Sequence, residues 1–143
     1  MKDLGNNLTP VSMTAAVVAS GNATTTTGSE IDLQGFEGAF VMCNSGVEGD
    51  TLATNLKYEL KLFHGDTSGS LTAVSSQLDV TDASIATDGT WLTLDDNAET
   101  PQVSGIGYIG GKQFIRVDIV RTGNHSSGTP MSISVSYTHL TLP

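Results

Sequence analysis

The stretch from residue 107 to residue 130, GYIGGKQFIRVDIVRTGNHSSGTP, constrains the fold of this chain more than any other. Ile115, Val117 and Ile119 recur at period two, separated by Arg116 and Asp118, and Arg121 ends the run. Successive side chains on an extended chain face opposite ways, so this spacing predicts a half-buried strand. It is entered from a turn at Gly110-Gly111 and left through a polar loop that opens a further strand. A second segment repeats the signal, with Leu56, Tyr58, Leu60 and Leu62 alternating against Lys57, Glu59 and Lys61. A helix would scatter those apolar residues round its circumference, whereas a strand gathers them on one dry face.

Shorter strands are expected elsewhere. The run AFVMC at residues 39–43 is apolar on both faces and reads as a central strand covered on both sides. Residues 12–19, Ile31 with Leu33, residues 71–74, a segment opening at Trp91, residues 106–109 and residues 131–135 complete the set. Strands spaced near ten residues apart, with Gly and Asn turns between them, predict an all-β chain. The expected architecture is a single antiparallel β-sandwich, jelly-roll-like, of about eight or nine short strands. The chain has 143 residues, a length suited to one domain with its own core. Residues 12–134 are assigned to that domain, and the polar residues 1–11 to an N-terminal extended arm.

Composition narrows the function. Fifteen acidic residues against six basic ones give a net charge of −9. That balance disfavours nucleic acid, where Lys and Arg must displace counterions, and it keeps copies soluble and mutually repelling. The apolar run at residues 15–19 is far too short to span a bilayer, and the N-terminus carries no apolar signal segment, so no membrane association is expected and synthesis is placed in the cytoplasm. Cys43, the one cysteine, lies in AFVMC and reads as a buried small hydrophobe.

Reactive chemistry is not advertised. Asp79, Asp82, Asp88, Asp95, Asp96 and Glu99 occur together but without a D-x-D-x-D-G loop, so they read as solvated loop charges. His64, His125 and His139 lack zinc-ligand spacing, and His64 is expected at the rim of its strand. No G-x-S-x-G elbow presents a serine. Gly110-Gly111 precedes a strand and not a helix, which favours turn geometry over a phosphate loop. Arg116 and Asp118 are expected to form an exposed pair contributing about 0–1 kcal/mol. Trp91, Tyr108 and Phe36 could make a sugar-stacking platform, yet with eight aromatics in all, packing is expected to claim most of them. The chain is expected to be no enzyme, with no catalytic residue, no cofactor and no metal.

The succession IDLQGFEGAFVMCNSG, LKYELKLFHGD, GTWLTL and GYIGGKQFIRVDIVRTG…GTP, spanning residues 31–134, resembles small virion proteins of tailed bacteriophages. The resemblance implies a capsid decoration or cement protein on the outer surface of the shell, with the major capsid protein as partner. It also implies a homo-oligomer, for which a trimer at local three-fold axes is the family habit. The protein would be made in the host cytoplasm and end on the virion surface. Candidate contact residues are Leu8, Pro10 and Val11 of the arm, which would order on the capsid, and the basic Lys57, Lys61, Lys112 and Arg116. The rival reading is a carbohydrate- or receptor-binding sandwich displayed on a fibre or tail. The last nine residues, VSYTHLTLP, resemble a translated sequencing adapter, so residues 135–143 are expected to be a non-native tail.

Overall fold

The computed structural model describes residues 8–139. Its strands are β1 (Leu8–Asn22), β2 (Thr25–Thr26), β3 (Ile31–Asp32), β4 (Phe36–Ser45), β5 (Lys57–Gly65), β6 (Thr72–Ala73), β7 (Val80–Thr81), β8 (Thr90–Leu94), β9 (Gln102–Tyr108), β10 (Phe114–Thr122) and β11 (Asn124–His139). Two single 3-10 turns interrupt them. The first sheet runs β1-β11-β4-β9-β7; the second runs β2-β10-β5-β6, with β3 also on β10 and β8 also on β5. All pairings are antiparallel, and the two sheets form the expected all-β sandwich.

The two alternating segments become neighbours. β5 and β10 pair from Phe114 opposite Gly65 to Thr122 opposite Lys57, which puts Tyr58, Leu60 and Leu62 beside Ile115, Val117 and Ile119 on one buried face. Facing them across the core are Ala39, Val41 and Cys43 of β4, Ile106 and Tyr108 of β9, and Met131, Ile133 and Val135 of β11. Each such side chain, taken fully out of water, contributes roughly 1.5–3 kcal/mol, so these two rows are the main source of cohesion. Arg121 falls on the same inward parity as Ile119. Its guanidinium donates to the Thr24 carbonyl (3.2 Å) and Thr26 Oγ1 (2.8 Å), which ties the short β2 to the second sheet.

Several expectations change. The expected arm does not extend to residue 11: Leu8, Thr9, Pro10 and Val11 are already in β1, opposite Thr138, Tyr137, Ser136 and Val135. Residues 1–7 lie outside the described residues. Strands are more numerous than eight or nine, because β2 and β7, two-residue pairings too brief to show a period, add to the expected set. Nor are all of them short, since β1 and β11 reach 15 and 16 residues. Whatever their origin, residues 135–139 complete β11: Val135 is fully buried opposite Val41, and the Tyr137 ring sits 4.2 Å from that of Phe36. Residues 140–143 lie outside the described residues.

The seam between the sheets is closed by the segment after β2. Ser29 N–H donates to the Met13 carbonyl at 3.0 Å, and Gly28 N–H donates to Asp118 Oδ1 at 3.1 Å. Met13 Sδ in turn accepts the Val117 N–H at 3.0 Å, so β1 and β10 meet here. Gly28 is required by space: a Cβ there would overlap the Val117 carbonyl, a backbone atom that cannot swing aside. Gly28→Ala should therefore lower unfolding free energy by about 1–3 kcal/mol, the usual cost of overpacking. A urea midpoint equal to the parent's would show that the seam is looser than this.

Candidate functional site

Strand parity that buries one row of the first sheet exposes the other. Ser132, Ser134 and Ser136 alternate with the buried Ile133 and Val135 and form a central outward row. Beside it lie Ser12, Pro10 and Leu8 of β1 on one flank, and Asn44, Met42, Phe40 and Gly38 of β4 on the other. Val103, Gly105 and Gly107 of β9 follow, opposite Asn44, Met42 and Phe40. Not one of these residues is charged, on a chain whose net charge is −9. Phe40 and Val103 are 37% and 67% exposed, and Ile109, just beyond β9, is 54% exposed.

The relief of this face follows from its glycines. A Cβ on Gly105 would run into the Phe40 ring, which therefore lies flat across β9. Without side chains at Gly38 and Gly107, a groove of about 250 Å³ opens, walled by Leu8, Phe40, Ile109 and Ser136. Asp82 stands at its rim, with its carboxylate turned to accept the Thr81 hydroxyl at 2.9 Å. The result is a mostly flat surface, uncharged but for Asp82 at the rim of its one apolar notch.

The outer face of the second sheet is the opposite in chemistry. Lys57 lies 3.9 Å from Glu59, Lys61 contacts Asp88 at 2.9 Å, and Arg116 donates to Asp118 at 2.9 and 3.3 Å. Lys112, on the loop after β9, contacts Asp66 at 3.1 Å. The Lys61 ammonium, helped by the Thr90 N–H, holds the Asp88 carboxyl down at about 2. The Arg116–Asp118 pair is not the exposed one expected from sequence. Asp118 is only 6% exposed, its Oδ1 also takes the Gly28 N–H, and the Arg116 guanidinium sits 4.8 Å above the Phe63 ring.

The seven candidate contact residues therefore do not form one patch. Leu8 and Pro10 belong to the uncharged face, while Val11 turns inward and packs on the core edge. Lys57, Lys61 and Arg116 lie on the far sheet, and each, like Lys112, is already matched with a carboxylate of this chain. Phe40, Met42, Val103 and the serine row went unnoticed in the sequence. The signal available was the S-I-S-V-S alternation at residues 132–136, which becomes a surface only when the neighbouring strands are known.

Groups with reactive potential are closed off or engaged. Cys43 is buried on β4, and burial pushes its thiol up to about 12. His125 is fully buried against the Tyr58 ring at 4.2 Å, with Nε2 donating toward the Lys57 and Thr122 carbonyls at 3.1 and 3.0 Å. Asp96 and Glu99 form a capping box on a 3-10 turn. Among the described residues, no three His, Cys, Asp or Glu side chains converge as a metal-ligand set. Trp91 and Tyr108 are core residues, and Phe36 packs on Tyr137, so packing does claim the proposed stacking platform.

A second, polar cleft of about 260 Å³ lies at the end of the sandwich, lined among others by Gln34, Phe36, Asp66, Lys112 and Gln113. At its floor the Tyr108 hydroxyl accepts the Lys112 N–H at 3.1 Å and stands 2.8 Å from His64 Nδ1. The hydroxyl and the imidazole share this second hydrogen bond at the cleft floor. Burial lowers the His64 pKa from its ordinary 6.5. The neutral ring's contribution to stability is therefore complete above that value and lost as pH falls through the lower, folded one. Melting midpoints should drop as pH falls below the ordinary histidine value of 6.5, and drop less in His64→Gln. Equal pH slopes in parent and variant would place the sensitive group elsewhere.

No family model matches the chain, and no curated protein sequence does. Among solved structures, the fold is similar to the SPBc2 prophage-derived protein YomS, with a TM-score of 0.52 and 15% identity over 92% of each chain. A chain of infectious bursal disease virus, Gx strain, aligns at a TM-score of 0.43 and 14% identity, over 92% of this chain and 32% of that one. The xylan-binding domain from CBM 22 aligns at 0.41 and 12%, over 96% and 90%. At this identity the YomS likeness establishes a shared sandwich fold.

Proposed function

We propose that this chain is a structural protein of a tailed-phage virion, a head decoration or cement protein that binds the outer surface of the major capsid protein shell. The observation that carries the reading is the separation of charge between the two faces. Burying an ion at an interface costs free energy unless a partner matches it, whereas a Ser, Gly, Phe and Met surface brings no such cost. The outer face of the first sheet is therefore the side suited to lie against a shell, with the Leu8–Phe40–Ile109 notch available to one protruding apolar side chain. The second sheet, its cations and carboxylates already matched, is suited to face water. The sequence resemblance to phage virion proteins supports the same reading, as does the fold held in common with a prophage-derived protein.

In this role the protein acts by adhesion. Copies that bind the intact shell and not its separated parts stabilise the shell by mass action. The partners are the major capsid protein and further copies of this chain, and the site of action is the virion surface. Met42→Glu and Ser134→Asp should each weaken binding to empty shells at least tenfold and leave the melting midpoint within about two degrees of the parent, since both side chains point outward. Lys57→Gln, on the other sheet, should bind as the parent does. Equal binding by all three variants would remove the first-sheet face as the contact.

The polar cleft favours a second reading, a glycan-binding module displayed on the particle. Gln34, Gln113 and Asp66 supply amide and carboxylate groups around a partly exposed Phe36. A glycan array with Gln113→Ala as its control separates the two readings. Saccharide binding lost in that variant, together with indifference to shells, would favour the module.

A further inference from the structure

β1 forms one edge of the first sheet and is 15 residues long. The other edge strands, β2, β3, β6 and β7, have two residues each, and β8 has five. A long open edge presents unpaired N–H and C=O groups that another strand can take up, and proteins usually blunt it with Lys, Pro or a bulge. Here Pro10 and register irregularities between Ser12 and Thr14, Thr14 and Val17, and Ala19 and Gly21 interrupt the edge, and the Met13 carbonyl accepts the Ser29 N–H, which leaves Val17, Val18 and Ala19 as its regular stretch. Ala15 and Ala16, within the second irregularity, and Val17 and Val18 after it are exposed in succession, with Val17 at 39% and Val18 at 51%.

The orientation of this edge can be read from its partner. Val18 lies opposite Pro130 on β11. Proline has no N–H to give, so this is a non-hydrogen-bonded pair, and the N–H and C=O of Val18 point away from β11 toward the open side.

Charge selects the occupant. Residues 4–29 contain no Asp, Glu, Lys or Arg, although the whole chain carries −9. Two copies repel one another over most approaches, and this edge is a line along which they meet without opposed charges. An antiparallel strand paired with itself about a two-fold axis is also its own complement, which requires no second surface. We infer that β1 pairs with β1 of a second copy about an axis at Val18, joining two first sheets into one continuous sheet. The two uncharged faces then lie side by side on one surface. The pairing does not depend on that surface meeting a capsid.

Sedimentation velocity and light scattering test it directly. The expected species has twice the 14.8 kDa chain mass, and Val18→Lys should return it to 14.8 kDa with an unchanged melting midpoint. Residues facing each other in a hydrogen-bonded antiparallel pair have Cα atoms about 5.5 Å apart, within disulfide reach. Val18→Cys should therefore cross-link to itself under mild oxidation, and Val47→Cys, on an exposed loop, should not. A parent that stays at one chain mass at high concentration overturns the inference. So does a three-chain mass, or a dimer untouched by Val18→Lys in which Val18→Cys fails to cross-link. A single-chain species that still binds shells would overturn this pairing alone; a dimer indifferent to shells would overturn the shell reading alone.

Discussion

The first sheet depends on β11 being held on both sides at once, by β1 along one edge and β4 along the other. The register that does this runs from Leu8 opposite Thr138 at one end to Asn22 opposite Asn124 at the other, so nearly the two ends of the described chain are zipped together. Closing so long a loop costs chain entropy before any contact compensates it. The compensation comes from Met131, Ile133 and Val135, which enter the core together. The same sixteen-residue strand turns Ser132, Ser134 and Ser136 outward, so one alternation builds both the interior and the candidate contact surface.

The two faces of the sandwich differ in how they treat charge. Ion pairs near water contribute little to stability, about 0–1 kcal/mol each, so the paired lysines of the second sheet are not what holds the fold. Their effect is on the surface: they cancel locally and leave the excess negative charge to loop acids. Arg116 and Asp118 differ because Asp118 also binds the Gly28 N–H within the seam. That carboxylate belongs to the structure as much as to the surface.

Legibility in the sequence followed locality. β5 and β10 were readable because Tyr58–Leu62 and Ile115–Ile119 alternate, and their neighbours only had to bury what they offered. β1 was readable only in part, as residues 12–19; its reach from Leu8 to Asn22 is set by pairing with β11, which nothing local to Ala15-Ala16-Val17-Val18 indicates. β7 was missed because two residues show no period. The basic residues drew attention as conspicuous charges, yet nothing local to Lys61 indicates that Asp88, 27 residues on, will neutralise it. The uncharged face escaped notice for the complementary reason, since it is defined by what four strands together lack.

β11 is also the last of the described strands to be synthesised. Until residues 124–139 leave the ribosome, β1 and β4 have no strand to separate and join them, and their apolar rows stay open. The second sheet waits almost as long, for β10. Neither sheet is therefore complete until β10 and β11 have both been made. A stop within residues 124–139 would then decide whether the first sheet closes at all, and not merely how well its end is trimmed.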